Sequence, residues 1–135
     1  MKASDVSLIL TTTEGYFTKE EVPLLYVEIQ EHRAQLERAL SRQVSFTDAL
    51  YSWMENIWQP IMQEIGDNLR LRLAASEKGI SEVYFEIYDL AKENDFKTVH
   101  EAAQEYVQKN VALLTALLHL FMHRKEEKHQ YKEAI

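Results

Sequence analysis

The sequence predicts an all-α protein, an antiparallel four-helix bundle built from two helical hairpins and preceded by a short N-terminal helix. Three observations predict it. Only three glycines and two prolines occur in 135 residues, which leaves little material for turns and calls for few, long elements. Helix start signals recur, each a Ser or Thr three residues ahead of a carboxylate: Thr18 with Glu21, Ser45 with Asp48, Thr98 with Glu101. No stretch alternates long enough between apolar and polar residues to argue for a strand.

In chain order, a short helix is expected near residues 4 to 12, inside an N-terminal arm of residues 1 to 17. The cap at Thr18 opens a helix over about 19 to 41, whose regular part follows Pro23. Ser45 opens a second helix from 46 to about 77. Pro60 lies inside it, where it removes a donor and frees the carbonyl of Asn56, so a bend is expected there. Gly66 offers a second irregularity, and Gly79 a stop. Ser81, with Ile80 and Phe85 spaced as a hydrophobic staple, caps a third helix over 82 to 93. Asn94 ends it, and Thr98 opens a fourth from 99 to about 131, with a polar helical tail over 124 to 135. The length suits one domain with one core.

An internal repeat runs through this layout. "YVEI" (26 to 29) followed by "SFTDALYSWMENI" (45 to 57) resembles "YFEI" (84 to 87) followed by "TVHEAAQEYVQKN" (98 to 110). Each copy forms one helical hairpin if the repeat is real; otherwise two capped helices share their cap chemistry and little else.

Composition narrows the function classes. The net charge is −7, and every basic cluster is interleaved with Asp or Glu, which disfavours nucleic acid and anionic membrane surfaces as partners. With no cysteine, thiolate nucleophiles, disulfides and sulfur-ligated metals are excluded; the apolar run around Leu8 to Leu10 is far shorter than a secretory segment needs, so a cytoplasmic location is expected. The most apolar run, "VALLTALLHLFM" (111 to 122), has twelve residues where a membrane span needs about twenty. No serine sits on a glycine-rich elbow, and no phosphate loop or dinucleotide fingerprint occurs. Glu28, Glu31, Glu37 and Glu55 read as solvated or locally paired.

The stretch "FTDALYSWMENIWQPIM" raises the question of binding. At 100° per residue Phe46, Leu50, Trp53, Ile57 and Ile61 form one stripe, and Tyr51, Met54, Trp58, Met62 and Ile65 another. The two indoles then point about 140° apart. A second apolar stripe is expected to be core, a self-association seam, or a surface for a partner or ligand. The last helix also carries apolar residues on more than one face, among them Leu114, Leu118 and Phe121. Tyr51, Met54, Trp58, Met62, Leu114, Leu118 and Phe121 are therefore the candidate interface, and a homodimer or an unknown protein partner its expected occupant.

His119, His123 and Glu127 lie at i, i+4 and i+8, with Glu126 and His129 as an adjacent E-x-x-H pair. Imidazole and carboxylate at this spacing can ligate a transition metal. Di-iron bundles, however, need a second E-x-x-H, and none occurs, so the alternative is a polar helix edge. His32, on the apolar stripe of its helix, is either a functional imidazole or hydrogen-bonded at a core edge with Glu28 at hand. Asn110, inside an apolar stripe, is expected to fix register or touch a ligand.

Residues 28 to 65 carry Glu31-His32-Arg33, Leu36-Glu37, Arg42 with Val44, Ala49, Trp53 and Pro60-Ile61 in an order that resembles a helical segment of uncharacterised bacterial proteins, a domain of unknown function. The resemblance implies a bacterial origin and no activity, and in it glycine stands where this chain has Ser41. The expected function is thus non-catalytic: self-association or protein–protein interaction. Two alternatives stay open, a metal-binding protein or enzyme on the His/Glu cluster, and a small-ligand sensor.

Overall fold

A computed structural model shows an all-helical chain, without a strand among the described residues. The structure describes residues 1–93 and 98–133, without the side chains of Val111 and of residues 125–133. The chain divides into two compact units, Met1–Pro60 and Ile61–Ile135.

In the first unit, α1 (Ala3–Thr12) runs out at three consecutive threonines. Their hydroxyls donate back to carbonyls a turn earlier, and fully buried Thr13 reaches the Ile9 carbonyl oxygen at 2.7 Å. α2 (Val22–Leu40) begins later than Thr18 suggests, because Pro23 is best tolerated in the first turn. The Thr18 and Glu21 pair still forms, at 2.9 Å from the Thr18 N–H to the carboxylate, one turn ahead of the helix. α2 stops at Ser41, which takes the left-handed conformation at φ 52°. Serine is strained there and glycine is not. A Ser41→Gly substitution is expected to raise the unfolding free energy by about 1 kcal/mol in denaturant titration. α3 (Phe46–Trp53) starts on its expected cap, the Ser45 hydroxyl accepting from the Asp48 N–H at 3.1 Å. α2 and α3 pack as a hairpin, with Leu25 and Ile29 on one helix and Ala49, Leu50 and Trp53 on the other fully buried.

Past Trp53 the helix changes pitch. Met54–Trp58 is a π turn, in which the Gln59 N–H bonds to the Met54 carbonyl five residues back, before α4 (Gln59–Asp67) resumes α geometry. Pro60 explains the place. It has no N–H and its ring crowds the carbonyl four residues earlier, which is that of Asn56 inside the turn; the wider i→i+5 spacing accommodates the displaced carbonyls. The extra residue in the turn also resets the phase of the helix. Skipping one position, Trp58 falls about 40° from Trp53 rather than 140°. Leu50, Trp53 and Trp58 then form a single stripe, and all three are buried. Trp58, which the 100° rule places on the second stripe, therefore joins the first, while Tyr51 is exposed and Met54 half-buried.

The long helix expected over 46 to 77 is also broken at Asn68. Its backbone is extended and its side-chain oxygen accepts from the N–H groups of Arg70 and Leu71 at 2.9 and 3.3 Å, ending α4 and capping α5 (Leu69–Lys78). Gly66, whose added Cβ would meet nothing within 4 Å, sits inside α4, and Gly66→Ala is expected to stabilise by about 0.5–1 kcal/mol. The reverse is expected at Gly79, whose φ of 103° terminates α5 and strains any other residue.

In the second unit, α6 (Ile80–Glu93) starts directly after Gly79, whose carbonyl accepts from the Val83 N–H at 3.3 Å. Ser81 is thus inside the helix and not its cap. α7 (Val99–Lys109) has the expected Thr98 cap, 3.2 Å from the Glu101 N–H. The helix expected over 99 to 131 is then interrupted at Asn110, where α8 (Val111–Glu133) begins. Asn110 is half-buried and its amide donates to the Tyr106 carbonyl at 2.8 Å, so it ends a helix instead of fixing register in a core. α6 packs on α7, and α5 on both α6 and α8, around buried Leu71, Val83, Tyr84, Ile87, Ala103, Tyr106 and Leu114. No described helix is long and apolar enough to cross a membrane.

Candidate functional site

The two hairpins, α2–α3 and α6–α7, carry the densest polar chemistry, and they carry it at matching positions. Setting Tyr26-Val27-Glu28-Ile29 against Tyr84-Phe85-Glu86-Ile87 also sets the start of α2, Val22, against the start of α6, Ile80. Setting Ser45 against Thr98 aligns buried Ala49, Leu50 and Trp53 with buried Ala102, Ala103 and Tyr106. The buried positions of α3 therefore repeat in α7, and those of α2 repeat in α6 at Leu25 with Val83 and Ile29 with Ile87.

In the first hairpin Glu28 is almost fully buried, at 4% exposure, and accepts from the indole Nε1 of Trp53 at 3.3 Å. A buried carboxylate is costly unless such donors meet it. Glu28 is thus an internal hydrogen-bonding group, contrary to the solvated role its sequence position suggests. One turn on, His32 Nε2 lies 2.8 Å from the hydroxyl of Ser52, which also accepts from the Asn56 amide at 3.3 Å. The imidazole and serine stand at nucleophile–base distance. Ser52, however, lies inside α3, whose backbone N–H groups bond within the helix, so no pair of free donors stands ready for an oxyanion. The pair ties α2 to α3. His32 Nδ1 and Trp58 Nε1 are buried without a hydrogen-bond partner among the described residues.

Burial holds the His32 imidazole below its ordinary value of 6.5, so the folded state favours the neutral ring. The stability from this source is complete above about pH 6.5 and is lost as the pH falls below that toward the folded-state value. Between about pH 7.5 and 5, the unfolding free energy of a His32→Gln variant is expected to fall less steeply than that of the parent chain. Equal slopes would contradict the assignment.

In the second hairpin Glu86 takes the place of Glu28 beside Tyr106; burial first, and then this carboxylate, push the phenol pKa upward. Lys78 reaches the same pair, 3.5 Å from the Tyr106 hydroxyl and 3.7 Å from Glu86. The counterparts of His32 and Ser52 are Leu90 and Glu105, and Glu105 pairs along its own helix with Lys109 at 3.3 Å. Where the first hairpin has its His–Ser tie, the second has a cleft of about 240 Å³ lined by Glu86, Asp89, Leu90, Tyr106, Lys109 and Asn110.

The residues singled out from sequence alone do not converge. Trp58 and Leu114 are buried within the chain, at 4% and 1% exposure, which takes both off the candidate interface. Met54, Met62, Leu118 and Phe121 are half-buried, and Tyr51 is exposed. His119 and His123 are exposed on α8, while the side chains of Glu126, Glu127 and His129 lie outside the described residues. Among the described residues no three His, Asp or Glu side chains gather where a metal could sit. The Glu28–Trp53 and His32–Ser52 contacts were not evident from spacing, although the repeat already set Glu28 against Glu86 and Trp53 against Tyr106. No protein-family model, no curated protein and no solved structure matches the chain.

Proposed function

We propose that the protein acts without catalysis, by associating with a second copy of itself through α8. The observation that supports this reading is the state of that helix. Its stretch from 111 to 122 is apolar on most sides, a pattern that calls for burial all round, yet Leu113, Leu120 and Met122 stand 45%, 52% and 55% exposed. Leu113, Leu117 and Leu120 follow one another at i, i+4 and i+7, with Arg124 next on the same line. Leu117, Leu120 and Arg124 edge a small cleft of about 130 Å³ against Glu77 of α5. An isologous pairing sets such opposite charges against one another while it covers the leucines. The antiparallel four-helix arrangement, a bend near Pro60, a bacterial origin and a cytoplasmic location belong to the same proposal.

Light scattering at several concentrations tests it. A dimer mass is expected for the parent chain, and Leu113→Lys with Leu120→Lys is expected to weaken association by about tenfold or more while the far-ultraviolet circular dichroism is unchanged. A monomer at every concentration, or a dimer indifferent to both substitutions, contradicts the reading.

A further inference from the structure

We propose that His119 and His123 of α8 bind a divalent transition metal of the zinc class, and that the same two residues of a second copy complete the site. The inference deepens the association proposed for α8 and rests on it.

Helix geometry makes the chelate. Both residues lie in α8 (Val111–Glu133) one turn apart, so their Cβ atoms stand about 6 Å from each other and their side chains leave the axis about 40° apart. Two imidazoles so placed can close on one ion at the usual zinc–nitrogen length of about 2.0–2.1 Å. Both are exposed. Leu114, at 1% exposure, marks the side of α8 that faces the core, and His119 lies about 140° and His123 about 180° around the helix from it. The pair therefore occupies the middle of the outward face. Ala112 and Ala116, also exposed, continue that line toward the start of the helix and leave room for a close approach.

That face is where the second copy is expected. Exposed Leu120 stands three residues from His123, and exposed Leu113 three from Ala116, so the leucines and the imidazole line are neighbours on the helix surface. A copy that covers the leucines also takes water from the rings, whose nitrogens then need partners. A shared metal ion supplies them. Zinc in a structural site takes four protein ligands in a tetrahedron, and one chain offers two here, since among the described residues no three His, Asp or Glu side chains gather around one point. A twofold axis beside the pair brings in the other two. The donors set the class of metal: imidazole nitrogen suits zinc, nickel and copper, whereas calcium and magnesium prefer oxygen.

The test uses the untagged full-length chain, stripped with EDTA and dialysed free of it. Calorimetric titration with zinc chloride is expected to show saturable binding at one ion for every two chains, and calcium chloride to show none. Light scattering is expected to show zinc tightening the dimer by about tenfold or more. His119→Ala and His123→Ala, both at exposed positions that leave the helix content unchanged, are each expected to weaken zinc binding by about tenfold or more, as losing one arm of a chelate does. His100→Ala, which removes the imidazole held 2.7 Å from Glu64, is expected to leave it unchanged. Equal binding of calcium, zinc binding that survives both α8 substitutions, or zinc held one ion per chain with undiminished affinity when Leu113→Lys and Leu120→Lys have broken the association each overturns the proposal. A chain that dimerises in EDTA and takes up no zinc overturns it while the association through α8 stands; a chain that is monomeric with and without zinc overturns both.

Discussion

Replacing either Trp53 or Trp58 by alanine is expected to lower the unfolding free energy by about 3–5 kcal/mol, the usual cost of deleting a buried aromatic side chain, and to leave the oligomeric state unchanged. Trp53 is fully buried and Trp58 4% exposed, so neither indole is available to a partner, and each deletion leaves a cavity that rigid helical neighbours fill only in part. Denaturant titration monitored by circular dichroism gives the loss, and light scattering the oligomeric state. The two positions are expected to differ on replacement by phenylalanine. At Trp53 the change removes the donor that meets buried Glu28, whereas at Trp58 it removes an indole N–H that has no partner among the described residues. Trp53→Phe is therefore expected to cost more than Trp58→Phe. A larger effect at Trp58, or a drop in association on losing its ring, would return that residue to a binding role.

The second large effect is expected at the carboxylate-to-aromatic clasp that both hairpins share. Glu28→Ala leaves the Trp53 N–H buried and unsatisfied, a loss of about 1–3 kcal/mol before packing is counted. Tyr106→Phe in the other hairpin removes a hydroxyl beside Glu86, but Lys78 stays 3.7 Å from that carboxylate and compensates it. The first substitution is expected to be clearly the more damaging, and a double replacement of Glu28 and Trp53 is expected to cost less than the sum of the singles, as interacting partners do. Additive losses would mean that the 3.3 Å contact contributes nothing.

The all-α class, the Ser45 and Thr98 caps and the two hairpins were legible because each rests on local chemistry that survives folding unchanged: a hydroxyl three residues ahead of a carboxylate, or a glycine able to reverse the chain. The phase of the tryptophan helix was not legible. The 100° rule assumes α geometry throughout, and although Pro60 announced an irregularity, nothing in the residues around it separates a bend from a π turn; the one extra residue is what brings Trp58 onto the stripe of Trp53. The interruptions at Asn68 and Asn110 escaped for a related reason. Asparagine is an ordinary helix residue until its side chain takes over a backbone donor or caps a carbonyl, and which of these it does is settled by the neighbouring helices. Of the site, the repeat already placed Glu28 with Glu86 and Trp53 with Tyr106, but the burial that turns a surface glutamate into an internal acceptor is a tertiary property. The difference between the His32–Ser52 tie and the open cleft beside Leu90 lies in the same category.

The phase shift at Met54–Trp58 can be tested by shortening the helix. In a Pro60→Ala background, which removes the reason for the wider turn, deletion of exposed Glu55 should heal the π turn into regular α-helix with Trp53 and Trp58 still on one side. Denaturant unfolding followed by tryptophan emission is then expected to show both indoles still shielded and a stability within about 1 kcal/mol of Pro60→Ala alone. If Met54–Trp58 were ordinary α-helix, the same deletion would swing Trp58 by about 100° out of its buried stripe. An exposed indole with a loss of about 3–5 kcal/mol or outright unfolding would contradict the account.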